Sequence, residues 1–246
     1  MLVVPGVVGG VLGARAQTTI LAASLLLGAG ALAGYLCFNA ASQWLKAAPA
    51  QRRRFQTPAL TYLAAVTLLG LGSLVMIGPV LLYWLPGFAA AAAVGLYLAR
   101  RRRERSLLGG AITVAAASLL LPLVAAPDPY RLAAMASLTS VVLATAACFG
   151  YFLGTVLYVK TVIRERGSRT WWLMSAGYHA ILAVVFGWLA SRNLPLHLAA
   201  LTAFFVLAAV RAAAVPAIAL RRTVRARPVG LGEIVLSVVL LVLLLV

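Results

Sequence analysis

Four short basic clusters, separated by long uncharged apolar runs, constrain this chain more than any other feature. Lys46 with Arg52–Arg54, Arg100–Arg103 with Arg105, Lys160 with Arg164, Arg166 and Arg169, and Arg221, Arg222, Arg225 and Arg227 account for seventeen of the twenty-one Lys and Arg residues. Apolar stretches with charge confined to the connections are the signature of a multi-pass membrane protein, and the side that holds the positive charge is the cytoplasmic one. A net charge of +17 on 246 residues would otherwise suggest nucleic acid. That reading fails because the cations are spaced by membrane-length segments and form no stripe interleaved with aromatics. The implied partner is instead a bilayer with anionic headgroups, and a protein partner is not specified.

The composition agrees. The chain is 64% hydrophobic, has a mean hydropathy of +1.04 and carries four acids, Glu104, Asp128, Glu165 and Glu233. Spanning lipid as a helix takes about 20 apolar residues, because the helix satisfies its own backbone where no water can. A membrane barrel would need alternating polar residues, and none are seen. The expected fold is therefore all-α: a polytopic membrane helix bundle of about nine transmembrane helices. They are read at 1–14, 18–45, 57–77, 80–99, 107–126, 132–159, 170–190, 194–220 and 229–246. The run from Phe55 to Ala99 must hold two of them, and the break falls between Gly78 and Gly87, where Gly78-Pro79 and Pro86-Gly87 form turns.

Nine helices put all four clusters on one side, leaving Arg15, Arg131 and Arg192 on the other and Arg211 inside a helix. The N-terminus is then cytoplasmic, the C-terminus outside, and 1–246 a single multi-pass domain. Trp44, Trp171 and Trp172 fall near the inner interface, Trp84 and Trp188 near the outer. Fourteen residues rise only about 21 Å, so the segment 1–14 reads as a short first helix or the end of a longer one. Gly30 with Gly34 and Gly150 with Gly154 are small-xxx-small pairs that favour close helix packing.

Polar groups inside lipid need partners, water or a function. Counting 1.5 Å per residue puts Asn39 roughly 10 Å inside the cytoplasmic boundary, and His179 and Arg211 about 14 Å inside. Tyr158 and Tyr178 share that half of the membrane. Arg211 is the sharpest of these: a central Arg costs about 2.5–3.5 kcal/mol on insertion scales. Two readings stand side by side, a structural pairing with Glu233 or a free carbonyl near Pro216, and the binding of an anionic ligand. His179, Asn39 and Tyr158 each read either as packing groups or as lining of the same pocket. Arg211, Lys160, Arg164, Asn39, His179 and Tyr158 are the candidate ligand-binding residues; no catalytic residue is assigned. The chain has no Gly-rich phosphate loop, GxSxG or HExxH. Cys37 and Cys148 form no CxxC pair, and a single Asp argues against a carboxylate-held metal. No metal or cofactor is expected.

The run Gly154-Thr-Val-Leu-Tyr-Val-Lys-Thr-Val-Ile-Arg-Glu-Arg-Gly167, followed by Tyr178-His179, resembles the YwiC-like family of bacterial integral membrane proteins. Met1-Leu-Val-Val-Pro5, Phe38-Asn39 with Trp44-Leu-Lys46, and Arg100–Arg103 with Glu104-Arg-Ser-Leu-Leu108 extend the resemblance over most of the chain. It implies a bacterial inner-membrane location and no established activity. Family members usually carry a Gln-His-Gly-Ala-Trp-like motif just before the stretch matching Met1–Pro5, so a start upstream of Met1 is expected. A more distant resemblance is to UbiA-type intramembrane prenyltransferases, which also have nine helices and a cytoplasmic-side site. Asn39 matches the Asn opening their first motif. Their Mg²⁺-binding aspartates have no counterpart in Asn39–Lys46 or Tyr158–Arg166. Three functions remain open: a lipid or prenyl transferase without that metal site, an anion transporter, and a membrane assembly partner.

Overall fold

A computed structural model describes residues 1–192, 197–221 and 226–246, and among them there are ten α-helices and no strand. They are α1 Val3–Arg15, α2 Leu21–Lys46, α3 Arg52–Ile77, α4 Leu85–Arg100, α5 Leu107–Ala125, the short α6 Pro129–Ala134, α7 Leu138–Val159, α8 Arg169–Ala190, α9 Leu198–Arg221 and α10 Ala226–Leu245. Among the described residues eight apolar helical segments have the length and composition to cross a membrane; α1 is shorter. The protein is a multi-pass membrane helix bundle. Each expected segment has a counterpart, with α3 starting about a turn and a half earlier than expected, α4 about a turn and a half later, the expected 132–159 divided into the short α6 and α7, and the last helix starting about a turn earlier. Asn193, the expected start at 194, Arg222 and Arg225 lie outside the described residues.

The chain divides into two compact units, Met1–Thr145 and Ala146–Val246. In the first, α2 packs on α3 and α4, and α5 on α1 and α4. The reason α1 holds its place is steric. Its buried face is Val4, Pro5, Val8, Gly9, Leu12 and Gly13, and a Cβ at Gly9 would collide with the Leu121 carbonyl of α5. Thr18 then donates to the Ala125 carbonyl at 2.6 Å, fixing the α1–α2 connection to the end of α5. A core of Leu27, Leu120, Leu123 and Val124 fills the space behind, with Trp84 and Phe88 against it.

Between α3 and α4 the chain turns at Gly78, whose φ of +98° favours glycine. A short 3₁₀ segment, Pro79–Trp84, leads into α4, so the break predicted between Gly78 and Gly87 is there. Trp84 donates Nε1–H to the Pro127 carbonyl at 2.7 Å, which anchors that corner. Outward, α3 exposes Leu60, Leu63, Leu68, Leu71 and Val75. An apolar face of that extent suits lipid and not water. The close approach expected at Gly30 and Gly34 is not found: a Cβ would meet only Leu69 at 3.9 Å at Gly30 and nothing at Gly34.

In the second unit α8 packs on α9, and α9 on α10. The end of α7 widens into one π-helical turn, Lys160–Arg164, closed by Gly167 at φ +86°. That left-handed glycine stops the helix. At Gly150 and Gly154 the predicted close packing is present. A Cβ at Gly150 would stand 3.0 Å from Leu182, and one at Gly154 2.7 Å from His179 Nε2.

Candidate functional site

The polar residues of the second unit are gathered by the helical period of α7. Tyr151, Thr155 and Tyr158 stand at i, i+4 and i+7, hence on one face, and all three are buried. Toward them α10 presents Glu233. One carboxylate oxygen, Oε2, accepts from Thr155 Oγ1 at 2.7 Å and from the Tyr151 hydroxyl at 3.1 Å. The other, Oε1, forms an ion pair with Nη1 of Arg211 on α9. Ser237, one turn along α10, donates to the Glu233 carbonyl at 2.7 Å. Both charged side chains are largely shielded, at 15% and 12% exposure. A charge in such a place persists only when paired and hydrogen-bonded, and both carboxylate oxygens of Glu233 accept from at least one donor.

Arg211 does not. Its guanidinium lies over the Tyr158 ring, 4.1 Å from the centroid, a cation–π contact. Beyond Nη1, its Nε and Nη2 are buried and have no hydrogen-bond partner among the described residues. Those two N–H groups point the same way and form the side-on fork that matches two oxygens of a carboxylate or phosphate. Each unsatisfied buried donor costs on the order of 1–3 kcal/mol. The structural pairing weighed for Arg211 is therefore present, and it occupies one donor nitrogen while leaving the bidentate edge unpaired among the described residues.

His179 is fully buried. Its Nδ1 lies 2.7 Å from the Ser175 carbonyl, so Nδ1 carries the hydrogen, and Nε2 faces Gly154 with no hydrogen-bond partner among the described residues. Gly154 and Tyr158 are one turn apart on α7, a rise of about 6 Å, so His179 packs one turn from the Arg211 stack. Tyr178 donates its hydroxyl to the Gly150 carbonyl at 3.1 Å.

The other expected residues lie elsewhere. Lys160 sits in the π turn with its ammonium 3.9 Å from the Trp171 ring centroid and 4.0 Å from Glu165. Arg164, in the same turn, is exposed. Asn39 belongs to the first unit, where its side chain is exposed on α2. Tyr151 and Thr155 were not anticipated as site residues. Their signal was in the sequence, since the 151–155–158 spacing puts three hydroxyl groups on one face of a helix otherwise apolar.

At the end of the same unit, between the π turn, the start of α8 and the last turns of α9, lies a cavity of about 150 Å³. Arg166 and Arg169 border it, and Thr161, Trp172, Pro216 and Ala219 line it.

Helices long enough to cross a membrane and a buried Arg–Glu pair between two of them define a polytopic membrane protein with an intramembrane polar site. The family described as YwiC-like protein matches residues 1–125, and the chain belongs to that family. The match is narrower than the resemblance read along the whole sequence: the Gly154–Gly167 run, Tyr178-His179 and the Arg211 cluster lie beyond it. Comparison with curated proteins and with solved structures finds no match in either.

Proposed function

We propose that this is a bacterial inner-membrane protein that binds an anionic ligand within its second unit, from the cytoplasmic side, through the unpaired Nε–Nη2 edge of Arg211. The observation that carries the reading is the pair of buried, unpartnered donors Nε and Nη2 beside a guanidinium already held in place by Glu233 and Tyr158. An Arg whose only task was to neutralise Glu233 has no need of a second, unpaired donor edge. Glu233 and Tyr158 fix the plane of the guanidinium before any ligand arrives, so little ordering is lost on binding.

The matching ligand group is a carboxylate or a phosphate offering two oxygens. Lys160 and Arg164 supply positive charge on the approach from the headgroup region, which raises the local concentration of an anion. Buried His179 and Tyr158 shape the wall. Asn39 is not required. A lipid-linked or phosphorylated ligand suits both the charge and the setting, and the same recognition would serve a transferase or a transporter.

The test is Arg211→Lys. The ammonium still pairs with Glu233, so insertion and folding are kept, but the fork is gone. Native mass spectrometry of protein extracted in mild detergent is expected to show an anionic adduct on the wild type that is lost from this variant. Equal retention by both, or no adduct on either, contradicts the proposal.

A further inference from the structure

A second site is built where the π turn meets α8 and α9. We infer that the cavity bordered by Arg166 and Arg169 binds the headgroup of an anionic phospholipid, independently of Arg211. Three observations lead there.

First, Gly167 in its left-handed conformation turns the chain back so that Arg166 and Arg169, on either side of it, border one cavity. Both arginines are exposed, and no acidic residue is among those lining the cavity. The charge that meets an entering group is positive.

Second, three of the polar groups that line the cavity are already engaged. Thr161 Oγ1 lies 2.9 Å from the Leu157 carbonyl and 3.1 Å from that of Trp171. Trp172 Nε1 donates to the Ala213 carbonyl at 2.9 Å, and Arg166 Nε to that of Ala219 at 2.7 Å. Besides the Ser168 hydroxyl and the two arginine heads, the lining offers apolar surface: the Trp172 ring, Pro216 and Ala219. Arg166 is fixed to α9 by its Nε, which positions its head at the rim.

Third, a cationic rim over an apolar interior selects an amphiphile. A small hydrophilic anion gains nothing from Trp172 and Pro216, whereas a phosphodiester with its glycerol carbons gains from both. The neighbouring residues Leu173 and Ile218 are exposed and apolar, as a surface for acyl chains should be. At about 150 Å³ the cavity has room for a headgroup and not for chains, so those would stay in the bilayer.

The probe is phosphatidylglycerol against phosphatidylcholine, read by native mass spectrometry of the full chain released from nanodiscs of each lipid. The wild type is expected to keep one phosphatidylglycerol more tightly than phosphatidylcholine. Arg169→Gln should weaken that preference about fivefold, the weight of one basic side chain at an anionic membrane surface. Ala219→Leu leaves every charge and fills the cavity; it should remove the same lipid, and circular dichroism checks that the helices persist. Loss with Arg169→Gln but not with Ala219→Leu would mean attraction by surface charge alone, and would overturn the assignment. Displacement by millimolar inorganic phosphate would overturn it in favour of a soluble phosphate. Equal retention of the two lipids would overturn it altogether. Arg211→Lys should leave this preference intact, so failure here and failure at Arg211 are told apart.

Discussion

Arg211 on α9 and Glu233 on α10 are joined through one donor nitrogen, Nη1, and the two remaining donor nitrogens of the guanidinium are buried with no hydrogen-bond partner among the described residues. The pair is at once a structural tie and a half-used recognition element. Its two roles separate under mutation.

Glu233→Ala leaves Arg211 buried without its counter-charge. Removing one member of a buried pair typically costs about 3–5 kcal/mol. The expected outcome is a large drop in thermal stability in detergent, or failure to accumulate. The double variant Arg211→Met with Glu233→Leu removes both charges and should be more stable than Glu233→Ala. If the double variant is the worse of the two, the pair is not the tie between α9 and α10.

Gly154→Ala tests the packing of His179 in isolation. The added methyl would stand 2.7 Å from Nε2 of a ring with no room to retreat. Overpacking of this kind costs about 1–3 kcal/mol. A lowered melting temperature is expected, with recovery in Gly154→Ala combined with His179→Ala. Thermal scans of the three variants check it; an unchanged Gly154→Ala would contradict the contact.

How much of this was legible in the chain divides along physical lines. Charge placement and hydropathy are one-dimensional signals, and they placed the described membrane-length helices to within about two turns, as well as the Gly78 corner. Gly150 and Gly154 followed from small-residue spacing, but identical spacing at Gly30 and Gly34 gave no close contact. Spacing says where a backbone can approach another, not which helix comes near. The pairing of Arg211 with Glu233 was one of two readings open from depth alone. The open fork was beyond reach, because it depends on which guanidinium nitrogen the carboxylate meets. Asn39 shows the converse: a depth shared with Arg211 did not make it buried.

Lys46 and Glu104 give a pH test at the membrane surface. Lys46 Nζ lies 2.8 Å from Glu104 Oε1, and this hydrogen bond holds the Glu104 carboxyl below its ordinary 4.5. A carboxyl depressed on folding contributes stability above its unfolded value, and that contribution is lost as pH falls through the lower folded value. Melting temperatures taken downward from pH 6 should therefore fall less steeply in Glu104→Gln than in the wild type. Both side chains are near 30% exposed, so the difference should stay under about 1 kcal/mol. Identical profiles would contradict the pairing.

Topology is open to reporter fusions. Fusions after Arg54, Arg105 and Arg169 should report the cytoplasm, and those after Arg131 and Arg192 the outside. A basic connection reporting the outside would remove the cytoplasmic approach to Arg211.

The most direct measurement is a cryo-electron microscopy map of the protein in lipid nanodiscs, at a resolution that shows side chains around Arg211. Non-protein density with two features within hydrogen-bond reach of Nε and Nη2, beside an intact Glu233 contact at Nη1, is the predicted result. Protein carbonyls or a lone water at those two nitrogens would contradict it.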